Sequence, residues 1–362
     1  MPGPWASWLS GAATGATIEL QGEAVSAEAA SFFLKCPSSA LRGRPPRTTP
    51  TPTPTATAFA LVGHSTTSPR PPKLVRMSRS RPSAPFALVC GHVTLDRAAG
   101  ALVPGGAAYY AGHALRALGA RVRVLAGAGA DFPPAALAGL DVALVPAPRT
   151  TVFENVHAPD GARSQRVLAA APALDPTSLP EAWRSADLLF LAPVLGEVAP
   201  DRFRAAVRAR AVGLGVQGLV RAVAPDGAVH QPRWEFDPAL LAGVDAAFVG
   251  EDDVRGQGDL VARLAASVPV VAFTHGRAGC ELVLRGRTRR VGAYPTREVD
   301  PTGAGDVFAA AMLLALSRGA DPVDAARLGA AAASVVVEGV GGEALPRVGE
   351  APGRAARVPV LD

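Results

Sequence analysis

Val299-Asp-Pro-Thr-Gly-Ala-Gly-Asp-Val-Phe-Ala-Ala-Ala-Met-Leu-Leu-Ala-Leu316 joins a turn to an unbroken helix. Asp300 precedes a proline, which pushes it out of the helical region. From Asp306 the chain holds neither Gly nor Pro until Gly319. Thr302-Gly303-Ala304-Gly305 therefore falls at a helix N-terminus, where the first amides lack intrahelical partners and the macrodipole is positive. Two glycines around one alanine allow close backbone approach, which suits a phosphate or a developing anion. A carboxylate in such a cradle repels the ligand unless its task is to take a proton. Asp306 therefore reads as a general base beside an anion hole formed by Gly303, Ala304 and Gly305. The simpler reading of the same residues is a tight turn with Asp306 as helix cap.

Working outward, apolar runs alternate with helical stretches. Phe86–Asp96 reads as a strand that delivers Asp96 at its C-terminal end, followed by Gly105-Gly106 and an Ala/Leu helix carrying Tyr109 and Tyr110. Arg121–Ala130, Leu188–Ala192 and Val212–Val216 read as further strands, with a helix over Asp201–Arg210. This alternation predicts right-handed crossovers and a parallel sheet. Ligands of such sheets gather beyond the strand C-termini, where Gln217-Gly-Leu-Val-Arg221 lies. Thr150–Ala169 breaks the pattern with a hairpin signal turning at Asp160-Gly161. Glu154, Asn155 and Arg163 are polar groups on it, either exposed-strand decoration or, where such a hairpin covers a site, ligand-facing. After the apolar run Val270–Phe273 comes Thr274-His-Gly276-Arg-Ala-Gly279, then a β-like stretch over Cys280–Val291. An Ala-rich helix to Val337 and a Gly339–Gly342 loop close the pattern.

Composition excludes several chemistries. Of 362 residues, the only lysines are Lys35 and Lys73, so no Walker-type, protein-kinase-type or Schiff-base lysine can act beyond Ser83. Phosphate chemistry there would rest on backbone amides, arginine and metal. Cys36, Cys90 and Cys280 are scattered and odd in number, which argues against a disulfide framework or zinc site and for a reducing, cytoplasmic setting. The net charge of +5 resides in residues 1–85, which carry nine Lys or Arg against three Glu. No nucleic-acid surface is expected on the folded part, and no apolar run is long enough to cross a bilayer.

Residues 1–84 are rich in Thr-Pro alternation, Ser and Arg. They read as a disordered low-complexity leader, dispensable or a transit segment, with Met77 as an alternative start.

Together the Gly-Ala-Gly-Asp cradle, the Gly105-Gly106 pair and Thr274-x-Gly276-x-x-Gly279 resemble the signatures of the PfkB (ribokinase-like) carbohydrate kinases. Gln217-Gly-x-x-Arg221 and the Asp300-Pro301 start are similar to the inositol-kinase branch. The resemblance implies a three-layer α/β/α sandwich with a mostly parallel sheet and a small β lid. The kinase domain would span residues 85–350, with the lid hairpin within 148–170 and a C-terminal tail over 351–362. It implies ATP and Mg²⁺, a monovalent cation near Asp300, a sugar or polyol acceptor, and a homodimer among the expected assemblies. Asp306 would be the catalytic base. Asp96, Gly105, Gly106, Tyr110, Gln217 and Arg221 would hold the acceptor, and Thr274, Gly276, Gly279, Thr302 and Gly341 the nucleotide. Asp253 stands where relatives place a metal-organising glutamate, with Gly250 in place of its asparagine. Tyr110, or Tyr109 if the register slips, replaces the asparagine of the first signature. Its aromatic face would favour a cyclic polyol or a nucleoside over an open-chain sugar. The inositol-kinase likeness, with few further aromatics to stack a base, puts a cyclitol first, then a furanose or hexose, then a nucleoside. The competing readings are a sugar- or nucleotide-sensing pseudo-kinase and a nucleoside kinase.

Overall fold

The computed structural model describes residues 84–98, 100–157 and 163–362, all within one compact unit. Residues 1–83, read as the leader, and the Asp160-Gly161 turn lie outside the described residues. In chain order the strands are β1 (Phe86–Cys90), β2 (Thr94–Ala98), β3 (Ala101–Gly105), β4 (Arg121–Ala128), β5 (Asp141–Pro146), β6 (Thr151–His157), β7 (Arg163–Ala169), β8 (Ser185–Leu191), β9 (Arg208–Gly215), β10 (Ala222–Val223), β11 (Val229–His230), β12 (Ala246–Gly250), β13 (Val270–Thr274), β14 (Cys280–Leu284) and β15 (Arg287–Val291). The α-helices are α1 (Ala107–Ala117), α2 (Pro200–Ala206), α3 (Leu260–Ala265), α4 (Ala304–Ser317), α5 (Pro322–Val336) and α6 (Ala351–Ala355).

Nine strands form the main sheet in the order β15-β14-β13-β12-β9-β8-β1-β4-β5. From β13 through β5 every pairing is parallel, while β14 and β15 add an antiparallel edge. The central strands are apolar on both faces because helices cover both. Ala87 and Val89 of β1 join the core that includes α1, α4 and α5, whereas Leu88 and Cys90 join the one that includes Phe203 of α2 and Leu260 and Leu264 of α3. The result is a three-layer α/β/α sandwich. Helix α4 is its central member, packed on α1, α5, β8 and β9 and buried without a break from Val307 to Ala315. That burial explains why its sequence is almost uniformly apolar rather than striped.

A second sheet, ordered β3-β2-β6-β7, stands apart from the first and forms the lid. The hairpin expected within 148–170 is β6 and β7, but β2 and β3 belong to the lid as well. The expected strand Phe86–Asp96 is thus two strands in two sheets. The chain leaves the main sheet after Cys90 because the His92 amide donates to the buried carboxylate of Glu197 at 2.9 Å instead of extending the ladder. Asp96 consequently arrives on a lid strand. The helix expected over Asp201–Arg210 ends at Ala206, since Val207 is extended and Arg208 already pairs with Ser185. The segment set apart as a C-terminal tail packs on the body. Ala351 and Val358 are buried, Gly292 donates to the Pro359 carbonyl at 2.9 Å, and Leu361 donates to that of Arg290 at 2.9 Å. Among the described residues no helix is long and apolar enough to cross a membrane.

Candidate active site

The C-terminal ends of β9, β12 and β13 contribute Gly215, Gly250 and Thr274 to the wall of a cavity of about 400 Å³, roofed by the lid. The N-terminus of α4 points into the same space. Gly303 caps that helix in the left-handed conformation, at φ 77°, so Asp306 is its third residue and not its cap. The turn before it is shaped by Asp300. One carboxylate oxygen accepts from the Thr302 amide at 2.9 Å and its hydroxyl at 2.6 Å, and the other accepts from the Gly341 amide at 2.8 Å. Asp300 therefore ties the cradle to the Gly339–Gly342 loop.

Asp306 stands in this cavity with Asp96, Asp253 and Arg221. Burial pushes its carboxyl up to about 7; the Arg221 guanidinium opposes that rise, and the Asp253 and Asp96 charges add to it. Asp253 is buried, which holds its carboxyl above the usual range, and it accepts the Gly250 amide at 2.8 Å. A proton is therefore held loosely at Asp306 near neutral pH, the setting a general base needs.

The sequence-derived candidates fall into three groups. Asp96, Gly106, Tyr110, Gln217, Arg221, Asp253, Thr274, Thr302, Gly303, Gly305 and Asp306 all line the first cavity. Gly276, Gly279 and Ala304 instead line a second cavity of about 410 Å³, which shares Thr274, Pro301 and Gly305 with the first. Gly105 and Gly341 line neither. Gly105 is buried against the Asp96 carboxylate, and Gly341 braces Asp300. Tyr110 borders the cavity, yet only 2% of it is exposed and its ring packs on Gly303, so it backs the cradle. In the lid, Asn155 faces the cavity while Glu154 pairs with Arg97 at 3.4 Å; the side chain of Arg163 is outside the described residues.

Ser164, Gln165, Gln231, Asp252 and Arg255 also line the cavity and were not singled out in sequence. For Gln165 the signal was present: it pairs with Asn155 across the hairpin, so the two share a face. Gln231 gave none, because its position depends on a hairpin that local patterning does not reveal.

Among the described residues no cluster of three or more acidic, His or Cys side chains could hold a metal by itself. Asp253 is suited to a water-mediated contact, and a cation there would relieve its repulsion of Asp306.

The sandwich, its antiparallel edge and the lid define a ribokinase-like α/β protein. A pyrophosphate-dependent kinase of the ribokinase family, solved as a sulfate complex, superposes with a TM-score of 0.62 at 22% identity, over 73% of this chain and 99% of that one. Residues 231–347 match the pfkB family carbohydrate kinases. Inositol 3-kinases of Oryza sativa subsp. japonica and Zea mays are each 33% identical, over 66% and 52% of this chain. Over these stretches the chain is similar to the pfkB carbohydrate kinases and to inositol 3-kinases. It spans 63% and 48% of the length of those two relatives.

Proposed function

We propose that this chain transfers a phosphoryl group from ATP to a hydroxyl of a small neutral polyol, with a cyclitol such as inositol first in order, then a furanose or hexose, then a nucleoside. The observation that carries this reading is Asp306, raised to about 7 in a cavity at the amide-bearing end of α4. In the reaction Asp306 accepts the acceptor's hydroxyl proton as that oxygen attacks the donor's terminal phosphorus, and the bond from that phosphorus to the β–γ bridging oxygen breaks to release ADP. The amides of Gly303, Ala304 and Gly305 receive the charge of the transferring group. Mg²⁺, when bound with the donor, would neutralise its phosphates, with Asp253 organising a water ligand.

Neutrality of the acceptor follows from the lining. Asp96, Asp252, Asp253 and Asp306 outnumber Arg221 and Arg255, and the remaining polar groups include the amides of Asn155, Gln165, Gln217 and Gln231. A phosphorylated or acidic acceptor would meet net repulsion, whereas hydroxyls can both donate to and accept from such groups. The inositol 3-kinase likeness favours the cyclitol. ATP is favoured over pyrophosphate by the second cavity, whose wall of Ala293, Tyr294, Pro295, Phe308, Ala333 and Val337 suits a flat base. Thr274, Gly276 and Gly279 would border the phosphates between the two cavities.

The test is a kinetic panel of myo-inositol, ribose, fructose and adenosine, each with ATP and with pyrophosphate. The highest kcat/KM is expected for myo-inositol with ATP. A clear preference for adenosine overturns the acceptor, and a preference for pyrophosphate overturns the donor.

A further inference from the structure

After Gln217 the chain does not return directly to the main sheet. It runs through Arg221 into the β10–β11 hairpin and comes back at Gln231, so both feet of the hairpin line the first cavity. Its tip is fastened to the lid. The Val167 amide of β7 donates to the Gly227 carbonyl at 2.8 Å, the Arg166 guanidinium donates to the Asp226 carbonyl at 2.5 Å, and Arg166 forms an antiparallel bridge with Ala228. Gly227 holds φ 88°, and a Cβ there would lie 2.7 Å from the Val167 carbonyl oxygen, so only glycine allows this junction. A segment carried by the core is thereby joined edge-on to a lid strand. At the other end Arg221 lies 5.7 Å from the centre of the Phe153 ring of β6 and donates to the Val194 carbonyl at 3.3 Å. The hairpin thus spans from the charged centre to the lid and carries Val229 and Gln231 on its returning arm.

We propose that this hairpin is a strap that builds one wall of the acceptor site, and that Gln231 is a specificity-determining residue presented by it. The inference rests on the polyol-kinase reading and names how that site selects its substrate. Gln231 and the lid's Gln165 offer primary amides, which donate and accept alike and so match a hydroxyl that does both. Gln165 is itself oriented, because its amide donates to the Asn155 side-chain oxygen at 3.1 Å. A polyol carries several hydroxyls besides the one phosphorylated, and the amides read one of those. Val229, on the same arm, covers a C–H face. An acceptor lacking that second hydroxyl would leave the amides unpaired, and this loss is the source of discrimination.

Gln231→Leu keeps the side chain's size and removes its hydrogen bonds. It is expected to raise KM for myo-inositol by about 10- to 100-fold, with kcat falling by no more than about threefold and KM for ATP unchanged. Unchanged acceptor KM overturns the specificity role. The strap is tested without catalysis, by hydrogen exchange at the Val167 amide. Exchange should be slow in the wild type and faster by at least about tenfold in Gly227→Ala, with Arg166→Ala as a milder second variant. Equal protection in all three overturns the strap. If the wild type phosphorylates no polyol, the functional reading fails, and the exchange experiment still decides the strap.

Discussion

Gly303→Ala probes how the turn that opens α4 is built. Gly303 sits at φ 77°, a region that costs a residue with a side chain about 1–2 kcal/mol. A Cβ at this position would also fall well inside van der Waals contact with the Tyr110 ring atoms Cδ1, Cγ and Cε1. Tyr110 is 2% exposed and cannot swing into solvent without opening the core, so overpacking adds about 1–3 kcal/mol. Gly303→Ala should thus cost about 2–5 kcal/mol in denaturant unfolding. Its kcat should fall as well, because the displaced cradle no longer meets the transferring group. Tyr110→Ala alone leaves a cavity and should cost about 3–5 kcal/mol. The two losses share one contact, so the double variant should be more stable than their sum by about 1–3 kcal/mol. Tyr110→Phe should change little, since the ring and not the hydroxyl packs on Gly303. Unfolding of Gly303→Ala within about 0.5 kcal/mol of wild type, or additivity of the two substitutions to that precision, would show that the ring and the turn do not press on each other.

Further outcomes are expected. Asp306→Asn should cut kcat by about two to four decades. Because the folded carboxyl is raised above its ordinary value, the folded state binds the extra proton and loses stability as pH rises from about 4 to about 7, so Asp306→Asn should melt higher than wild type at pH 8. The wild-type kcat/KM should rise with pH through a midpoint near 7 as Asp306 ionises, and Arg221→Met, which removes the guanidinium that lowers this pKa, should move the midpoint to higher pH. Ala333→Leu should obstruct the second cavity and raise KM for ATP by about tenfold or more, leaving acceptor KM unchanged; an unaltered KM for ATP would mean that the base binds elsewhere.

The parts legible in sequence are those whose information is local. The cradle at Gly303–Gly305, helix α4, the Thr274 turn and the β character of Cys280–Val291 each declare themselves locally, through glycine placement and an apolar period, whereas the antiparallel pairing of that stretch comes from the structure. What escaped depends on long-range partners. Asp96 sits on a lid strand because Glu197, more than a hundred residues away, captures the His92 amide. Tyr110 reads in sequence as a stand-in for a polar signature residue, yet its environment is set by Gly303, and that contact directs the ring behind the cradle. The C-terminal residues look like a tail until the edge strand β15 supplies hydrogen-bond partners for them. Gln231 lies in a stretch without periodicity, and only the Gly227–Val167 junction brings it to the cavity.

Phosphoryl transfer to a polyol hydroxyl with Asp306 as base has a direct physical readout. Phosphorus NMR of myo-inositol incubated with ATP, Mg²⁺ and enzyme tests it most directly, run in parallel with wild type and Asp306→Asn. A new phosphomonoester resonance should grow with ADP in the wild type and be slower by at least about a hundredfold in the variant. Equal rates in both enzymes, or ADP formed with inorganic phosphate and no phosphoester, would contradict it.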